Sequence, residues 1–171
     1  MVDHADEKNS EPKPHGKHKY GREYMSHELE VIGLVERPLC LRVEDLREMA
    51  TMEINALTLI CGSGAKKGTI ESYRGVLLRD ILDRASVIIT DHHAPNRLYL
   101  KLTSSDGYRV IFSFQEINNT VVGEKALVVF AREGRPLDES EGEFAFVSAN
   151  DTRPGPRRMR YLKSIEVCGI D

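Results

Sequence analysis

The chain has 171 residues, of which 40% are hydrophobic and 30% are charged. A chain of this length and composition can bury a substantial apolar core, which predicts one globular domain. The formal net charge is −3, so no general positive field attracts nucleic acid or an anionic membrane, and we expect neither partner.

Residues 1–26 are predicted to form a disordered polar tail, followed by one domain over residues 27–171. Asp, Glu, Lys, Pro, Gly and His dominate the tail, which leaves too little apolar surface to offset the entropy of ordering. His4, His15 and His18 lie there without a shared periodicity, so we assign them no metal. The polar start and the absence of a long apolar run predict a cytoplasmic protein.

The first predicted elements are two extended segments and a short helix. Alternation and β-branched residues predict a strand over 29–35, which Pro38 ends. Residues 39–43 resume an extended segment. Acids early in residues 43–49 then favour a short helix, because they complement its dipole. The next strand ends in Cys61.

The clearest helical pattern covers residues 75–85. Its apolar residues recur at spacings of three and four, which places on one stripe Leu77, Leu78, Ile81, Leu82 and Ala85. Such a stripe is typical of an amphipathic helix that packs against a sheet.

The second half of the chain is rich in strands. Extended segments are predicted over 98–103, 108–114, 127–130, 144–147 and 159–167. Asp106-Gly107 and Glu133-Gly134 lie where tight hairpin turns are needed. Because strands outnumber helices, the predicted class is α+β, with mixed and largely antiparallel sheets and a few short helices.

Cys61 closes one of these strands and opens the loop Gly62-Ser63-Gly64-Ala65-Lys66-Lys67. The neighbouring cations favour a thiolate that binds an anionic ligand or a metal. A free cysteine on an apolar strand is, however, more often a small buried hydrophobe. The three cysteines, at positions 40, 61 and 168, lack the spacing of a disulfide framework or a structural zinc site.

A second basic loop lies near the end of the chain. Four arginines occur within eight positions beside two prolines: Arg153, Arg157, Arg158 and Arg160. Guanidinium groups match the geometry of phosphate, so this loop can hold a phosphate group. The alternative is a solvated turn whose charges pair with the acidic stretch 138–141.

Several segments resemble, in unbroken order, the molybdopterin-binding domain of sulfite oxidases. The likeness spans roughly residues 27–168 and is carried by residues 29–38, 43–47, 59–61, 73–82, 105–108, 133–137 and 157–162. The last of these is similar to the Arg-x-Val-Lys-Trp-Leu segment of that family.

The resemblance implies a sulfite oxidase-like α+β fold in which Cys61 ligates molybdenum or tungsten and basic residues hold the phosphate of molybdopterin. The correspondence makes Arg157 and Arg160 the phosphate candidates, to which Arg153 and Arg158 can contribute. We therefore predict Cys61 as the catalytic residue and metal ligand. The predicted cofactor-binding residues are Cys61, Gly62, Ser63, Lys66, Arg157 and Arg160.

The sequence also departs from the family. Sulfite oxidases carry arginines four and five residues after the cysteine, where this chain has Ala65 and Lys66. Lysine is a poorer fork for an oxyanion, so sulfite is not the expected substrate. The upstream Arg-Asn-His segment and the C-terminal dimerisation domain of the family have no counterpart here.

Two functions remain open from the sequence. One is a small molybdopterin-dependent oxidoreductase of the oxygen-atom-transfer type, or its cofactor-binding subunit. Its electrons would need an external redox partner or a second subunit, because the chain carries no haem or iron–sulfur motif. The other is a non-catalytic binding module that keeps the fold without the cofactor.

Overall fold

The computed structural model describes residues 20–170. The first 19 residues, with His4, His15 and His18, and Asp171 lie outside the described residues. The predicted α+β class is confirmed, because within residues 20–170 ten strands form two sheets joined by a few short helices. None of the helices described in residues 20–170 is long and apolar enough to span a bilayer.

The helices and strands fall in the following order. The strands are β1 (Leu29–Gly33), β2 (Leu39–Leu41), β3 (Thr51–Ile60), β4 (Lys66–Leu77), β5 (Leu98–Ser104), β6 (Arg109–Ser113), β7 (Ala126–Arg132), β8 (Arg135–Pro136), β9 (Ala145–Ser148) and β10 (Leu162–Gly169). The α-helices are α1 (Val43–Glu48), α2 (Leu78–Ala85) and α3 (Phe114–Asn119). Short 3-10 turns cover Arg22–Tyr24, Ala94–Arg97 and Gly123–Lys125.

The first sheet has the strand order β2-β1-β10-β5-β6. β1 runs parallel to β10, and the other neighbours are antiparallel. The second sheet is antiparallel in the order β3-β4-β7-β8, with β9 also paired to β7. Its long β3-β4 hairpin ends at residues 61–65, so it carries the loop of Cys61 at its tip.

Two apolar clusters hold these layers together. The larger one joins the first sheet, the three α-helices and one face of the second sheet, with Phe112, Phe144 and Phe146 fully buried. The smaller one covers the opposite face of the second sheet around Tyr73 and Leu127. β7 is buried on both faces, which explains why its sequence reads as a continuous apolar run.

The helix predicted over 75–85 begins at Leu78, because residues 66–77 form β4. The predicted stripe is correct for Leu78, Ile81, Leu82 and Ala85, which are buried. Helix α3 was not predicted, although a capping box marks its start. Ser113 Oγ accepts from the Glu116 N–H at 3.0 Å, and the Ser113 N–H donates to the Glu116 carboxylate at 3.0 Å.

Residues 20–25, at the end of the predicted tail, contact the domain. The Gly21 N–H donates to the Tyr161 hydroxyl at 3.0 Å. The ring of Tyr24 lies 5.9 Å from that of Tyr161, and the Ser105 hydroxyl donates to the Tyr24 carbonyl. This segment therefore packs beside the end of the second basic loop.

Gly75 allows β4 and β7 to approach closely. A Cβ atom at this position would overlap the carbonyl oxygen of Val128 and lie 2.8 Å from its carbonyl carbon. Because the obstacle is backbone in the middle of a sheet, it cannot move aside as a flexible side chain would.

We expect Gly75→Ala to lower the free energy of unfolding by about 2 kcal/mol, because the added methyl group forces two paired strands apart. Urea denaturation followed by circular dichroism measures this loss. Gly62→Ala is the control, since its Cβ would meet only Pro156 Cγ at 3.8 Å. Equal stability of the two variants would contradict the close approach.

Candidate functional site

The two basic loops meet, although about 90 residues separate them in sequence. The Gly155 N–H donates to the Ile60 carbonyl at 2.9 Å, and the Arg153 guanidinium donates to the Gly62 carbonyl. A Cβ on Gly155 would lie only 2.6 Å from the Ile60 oxygen. The last residue of β3 is thus packed directly against the arginine-rich loop.

A cavity of about 550 Å³ opens between these loops. Its lining combines a thiol, three cations, two tyrosines and small backbone-exposing residues: Tyr20, Leu59, Cys61, Gly62, Lys67, Asp106, Tyr108, Gly155, Pro156, Arg158 and Arg160. The volume is in the range of small-molecule and cofactor sites. The Tyr108 hydroxyl donates to the Pro156 carbonyl, which holds one wall in place.

Cys61 is half-buried at the edge of this cavity. Its Sγ lies 2.8 Å from Ser63 Oγ, within a tight turn in which the Gly64 N–H donates to the Cys61 carbonyl at 2.8 Å. The Ser63 hydroxyl, the backbone of Ser63 and Ala65 and the nearby Lys67 ammonium lower the pKa of the Cys61 thiol below its ordinary value. The structure therefore presents a thiol inclined to ionise rather than a buried hydrophobe.

Arg160 supplies an available positive charge. Its guanidinium carbon lies 4.6 Å from the ring centroid of Tyr20, a cation–π arrangement. Within residues 20–170, no carboxylate lies at ion-pair distance from Arg160, and the same holds for Lys67, the other free cation of the lining.

Arg158 also lines the cavity but is held from behind by a buried polar network. Its NH2 group donates to the Tyr73 hydroxyl at 2.7 Å and to the Glu141 carboxylate at 2.9 Å. The Glu141 side chain is only 2% exposed, and it also accepts from Arg132 at 2.9 Å and from the Tyr73 hydroxyl at 3.0 Å. Burial is the main cause that raises the pKa of Tyr73, to about 12.

Arg157 is turned away from the cavity. Its guanidinium donates to Asp151 at 2.6 and 2.8 Å and to Glu116 at 3.0 Å, and it stacks 3.9 Å from the centroid of Phe112. Asp151 and Glu116 raise the pKa of Arg157 through these bonds. Two carboxylates already balance its charge, so Arg157 joins the arginine-rich loop to α3 rather than facing a ligand.

The other predicted residues divide in a similar way. Gly62 lines the cavity. Ser63 is not part of the lining, but its hydroxyl contacts the sulfur of Cys61, which is. Lys66 is exposed and is not part of the lining, whereas its neighbour Lys67 is. Adjacent residues on a strand point to opposite faces, so the parity of β4 is the signal that would have selected Lys67.

The donor set bears on which groups the site can hold. Among the described residues, no three His, Cys, Asp or Glu side chains converge in the way a protein-bound metal ion requires. A single thiol in a cationic cavity instead fits a metal that arrives with ligands of its own and an anionic group. Phosphorylated metal chelates belong to this class.

The family model described as "Oxidoreductase molybdopterin binding domain" matches residues 15–168. No curated protein matches the sequence. Twenty-four chains of solved structures match. One is the crystal structure of the sulfane dehydrogenase SoxCD from Paracoccus pantotrophus, at 18% identity and a TM-score of 0.61 over 82% of this chain and 38% of that chain.

The structural match confirms the predicted fold family. It also shows that this chain spans well under half of the matched chain.

We expect Cys61 to react with iodoacetamide at lower pH than Cys40, because a hydrogen bond to Glu28 raises the pKa of Cys40 while Ser63 lowers that of Cys61. Mass spectrometry of each cysteine peptide across a pH series measures both rates. Ser63→Ala removes the main cause and should move the Cys61 inflection to higher pH. Identical profiles for Cys61 and Cys40 would contradict the assignment.

Glu141→Gln is expected to lower the free energy of unfolding by about 3 kcal/mol, because it leaves two arginines without their buried counter-charge. Glu139→Gln is the matched control. Its carboxylate pairs with Arg22 at the surface, with 54% of the Glu139 side chain exposed, so its loss should stay below about 1 kcal/mol. Chemical denaturation at neutral pH separates the two; comparable losses would refute the network.

Proposed function

The chain belongs to the oxidoreductase molybdopterin-binding domain family, and from this premise we propose that the cavity between its two basic loops binds molybdopterin, with Cys61 as the protein ligand to the molybdenum or tungsten. The observation that carries the proposal is the convergence of the Cys61 thiol with Arg160 and Lys67 on one cavity of about 550 Å³. Neither the thiol nor the cations alone would suffice to bind the cofactor, because the cofactor contains both a soft metal and a phosphate.

The thiol suits the metal end of the cofactor. Thiolates are soft ligands, and the lowered pKa of Cys61 increases the ionised fraction that can bind. Ser63 supports this role by its 2.8 Å contact to the sulfur, and Gly62 leaves the approach open. The reduced thiol that binding requires agrees with the cytoplasmic location predicted from the sequence.

The cations suit the phosphate end. Arg160 is the best candidate, because its guanidinium has a planar fork and no carboxylate partner within the described chain. Lys67 adds a point charge, and Arg158 adds a fixed donor whose orientation Glu141 and Tyr73 maintain. Arg157 and Lys66, both predicted from the sequence, are replaced in this proposal by Arg158 and Lys67.

As an enzyme, the protein would be an oxidoreductase of the oxygen-atom-transfer type. The bound cofactor would supply the redox chemistry, and the chain would position it and exclude competing ligands from the metal. The described residues offer no second redox centre, so electrons would pass to an external partner or a second subunit.

A second candidate is a binding module without catalysis. Two observations favour it: Ala65 and an exposed Lys66 stand where oxyanion-binding arginines are expected, and the charge of Arg158 is already balanced by Glu141. These features reduce the positive charge near the thiol that an anionic substrate would meet.

The test is purification of the full chain from a host that makes molybdopterin. Metal analysis and the fluorescence of released, oxidised pterin should give about one metal and one pterin per chain. We expect Cys61→Ser to remove the metal, and Arg160→Gln to lower the pterin content at least threefold, since a charge-assisted hydrogen bond is lost.

Cys40→Ser and Arg109→Gln are matched controls, because both positions are exposed and neither lines the cavity. Both controls should retain the cofactor fully. Pterin bound equally by wild type and Arg160→Gln would overturn the phosphate assignment, and apo protein under these conditions would overturn cofactor binding itself. Folded apo protein is the outcome that the binding module predicts, because that module keeps the fold without the cofactor.

A further inference from the structure

A second cavity lies on the second sheet, remote from Cys61. It measures about 410 Å³ and is lined by residues of α1, β3, β4, β7, the β7-β8 turn and β8: Arg47, Thr51, Glu53, Ser72, Arg74, Phe130, Ala131, Gly134, Arg135 and Pro136. Ser72, the lining residue of β4 nearest the hairpin tip, pairs with Asn55, six residues before Cys61, so the groove lies roughly 20 Å from Cys61 along the strand.

Strand register explains how the groove is built. Glu53 pairs with Arg74, Arg74 with Ala131, and Ala131 with Pro136, which forms one row across four strands. Small Ala131 leaves a depression in this row, and Phe130 forms part of its wall. Arg47 reaches the groove from α1, with its guanidinium carbon 5.9 Å from the centroid of Phe130.

The three arginines of this groove differ from their neighbours in charge balance. Within the described chain, no carboxylate lies at ion-pair distance from Arg47, Arg74 or Arg135, although Glu53 stands opposite Arg74 in the register. The adjacent Arg132, by contrast, pairs with both Glu133 and Glu141. Three arginines and Glu53 line the same groove, which leaves an excess of positive charge that a bound anion would offset.

We propose that this groove binds the phosphate group of a small phosphate ester. Arg74 lies on β4 and Arg135 on β8, the strands on either side of β7, and both line the groove and provide planar forks for the phosphate oxygens. The hydroxyls of Thr51 and Ser72 lie in the same lining. Phe130 and Pro136 add apolar surface, and the groove is larger than a phosphate ion needs, so the organic part of the ester lies against them.

Glu53 allows a test in which two substitutions are expected to change the phosphate affinity in opposite directions. Its carboxylate lines the groove and repels an anion, so neutralising it should strengthen phosphate binding. Arg74→Gln should weaken binding. A merely damaged surface cannot produce both changes, because loss of structure lowers affinity in either variant.

The experiment is a titration of ¹⁵N-labelled full-length protein with inorganic phosphate at constant ionic strength, followed by amide chemical shifts. We expect the amides of Ser72 and Gly134 to shift with a common Kd, which Arg74→Gln combined with Arg135→Gln raises at least about tenfold. Glu53→Gln should lower that Kd, and Arg109→Gln should leave it unchanged.

Two further arms locate the ligand. Arg160→Gln removes phosphate effects at Gly62 and Asp106 in the first cavity and should leave those at Ser72 and Gly134 intact, which keeps this site distinct from the cofactor proposal. Phenyl phosphate should bind more tightly than inorganic phosphate. The absence of shifts at Ser72 and Gly134, equal affinity of the double variant, or weaker binding of phenyl phosphate would each overturn the proposal.

Discussion

The contact on which the candidate site depends is a backbone hydrogen bond, from the Gly155 N–H to the Ile60 carbonyl. It joins the tip of a long hairpin to an irregular loop that proline and glycine keep out of regular structure. Only a residue without a side chain allows this approach. Through it, Cys61 and Arg160 share one cavity, although each belongs to a segment that on its own would present an ordinary thiol or an ordinary surface cation.

Some arginines of the arginine-rich loop are paired with acids and stabilise the fold, whereas Arg160 has no such partner within the described residues. Arg157 is bound by Asp151 and Glu116 and fixes the loop to α3, while Glu141 and Tyr73 hold Arg158 from inside the fold. Arg160 is left facing the cavity. A dense basic cluster is therefore stable here because buried acids neutralise part of it, and the remaining charge can be directed at a ligand. The pairing with the acidic stretch 138–141 that the sequence suggested occurs at Arg158 through Glu141, whereas anion binding is proposed for Arg160.

Much of this arrangement was predictable from local patterns, and the limits have physical causes. The position of Cys61 at a strand end, the stripe of α2 and the hairpin turns followed from periodicity and turn chemistry. The sequence did not predict β4 for two reasons. Its first half is exposed and polar, so the alternation of apolar and polar residues is weak, and its last residues overlap the stripe predicted as helical. The direction of each arginine depends on distant partners, Glu116 and Glu141, which no short segment contains. The choice of Lys67 over Lys66 depends instead on the parity of β4, which its exposed and polar first half conceals in the sequence.

In the proposed site, a single ligand bridges Cys61 and the free cations of the two loops. A crystal structure of the protein isolated from a molybdopterin-producing host tests this claim most directly. We expect the metal bonded to Sγ of Cys61 and the phosphate on Arg160 and Lys67. A cofactor bound elsewhere, or a Cys61 sulfur still paired with Ser63 beside an unfilled cavity, would contradict the claim.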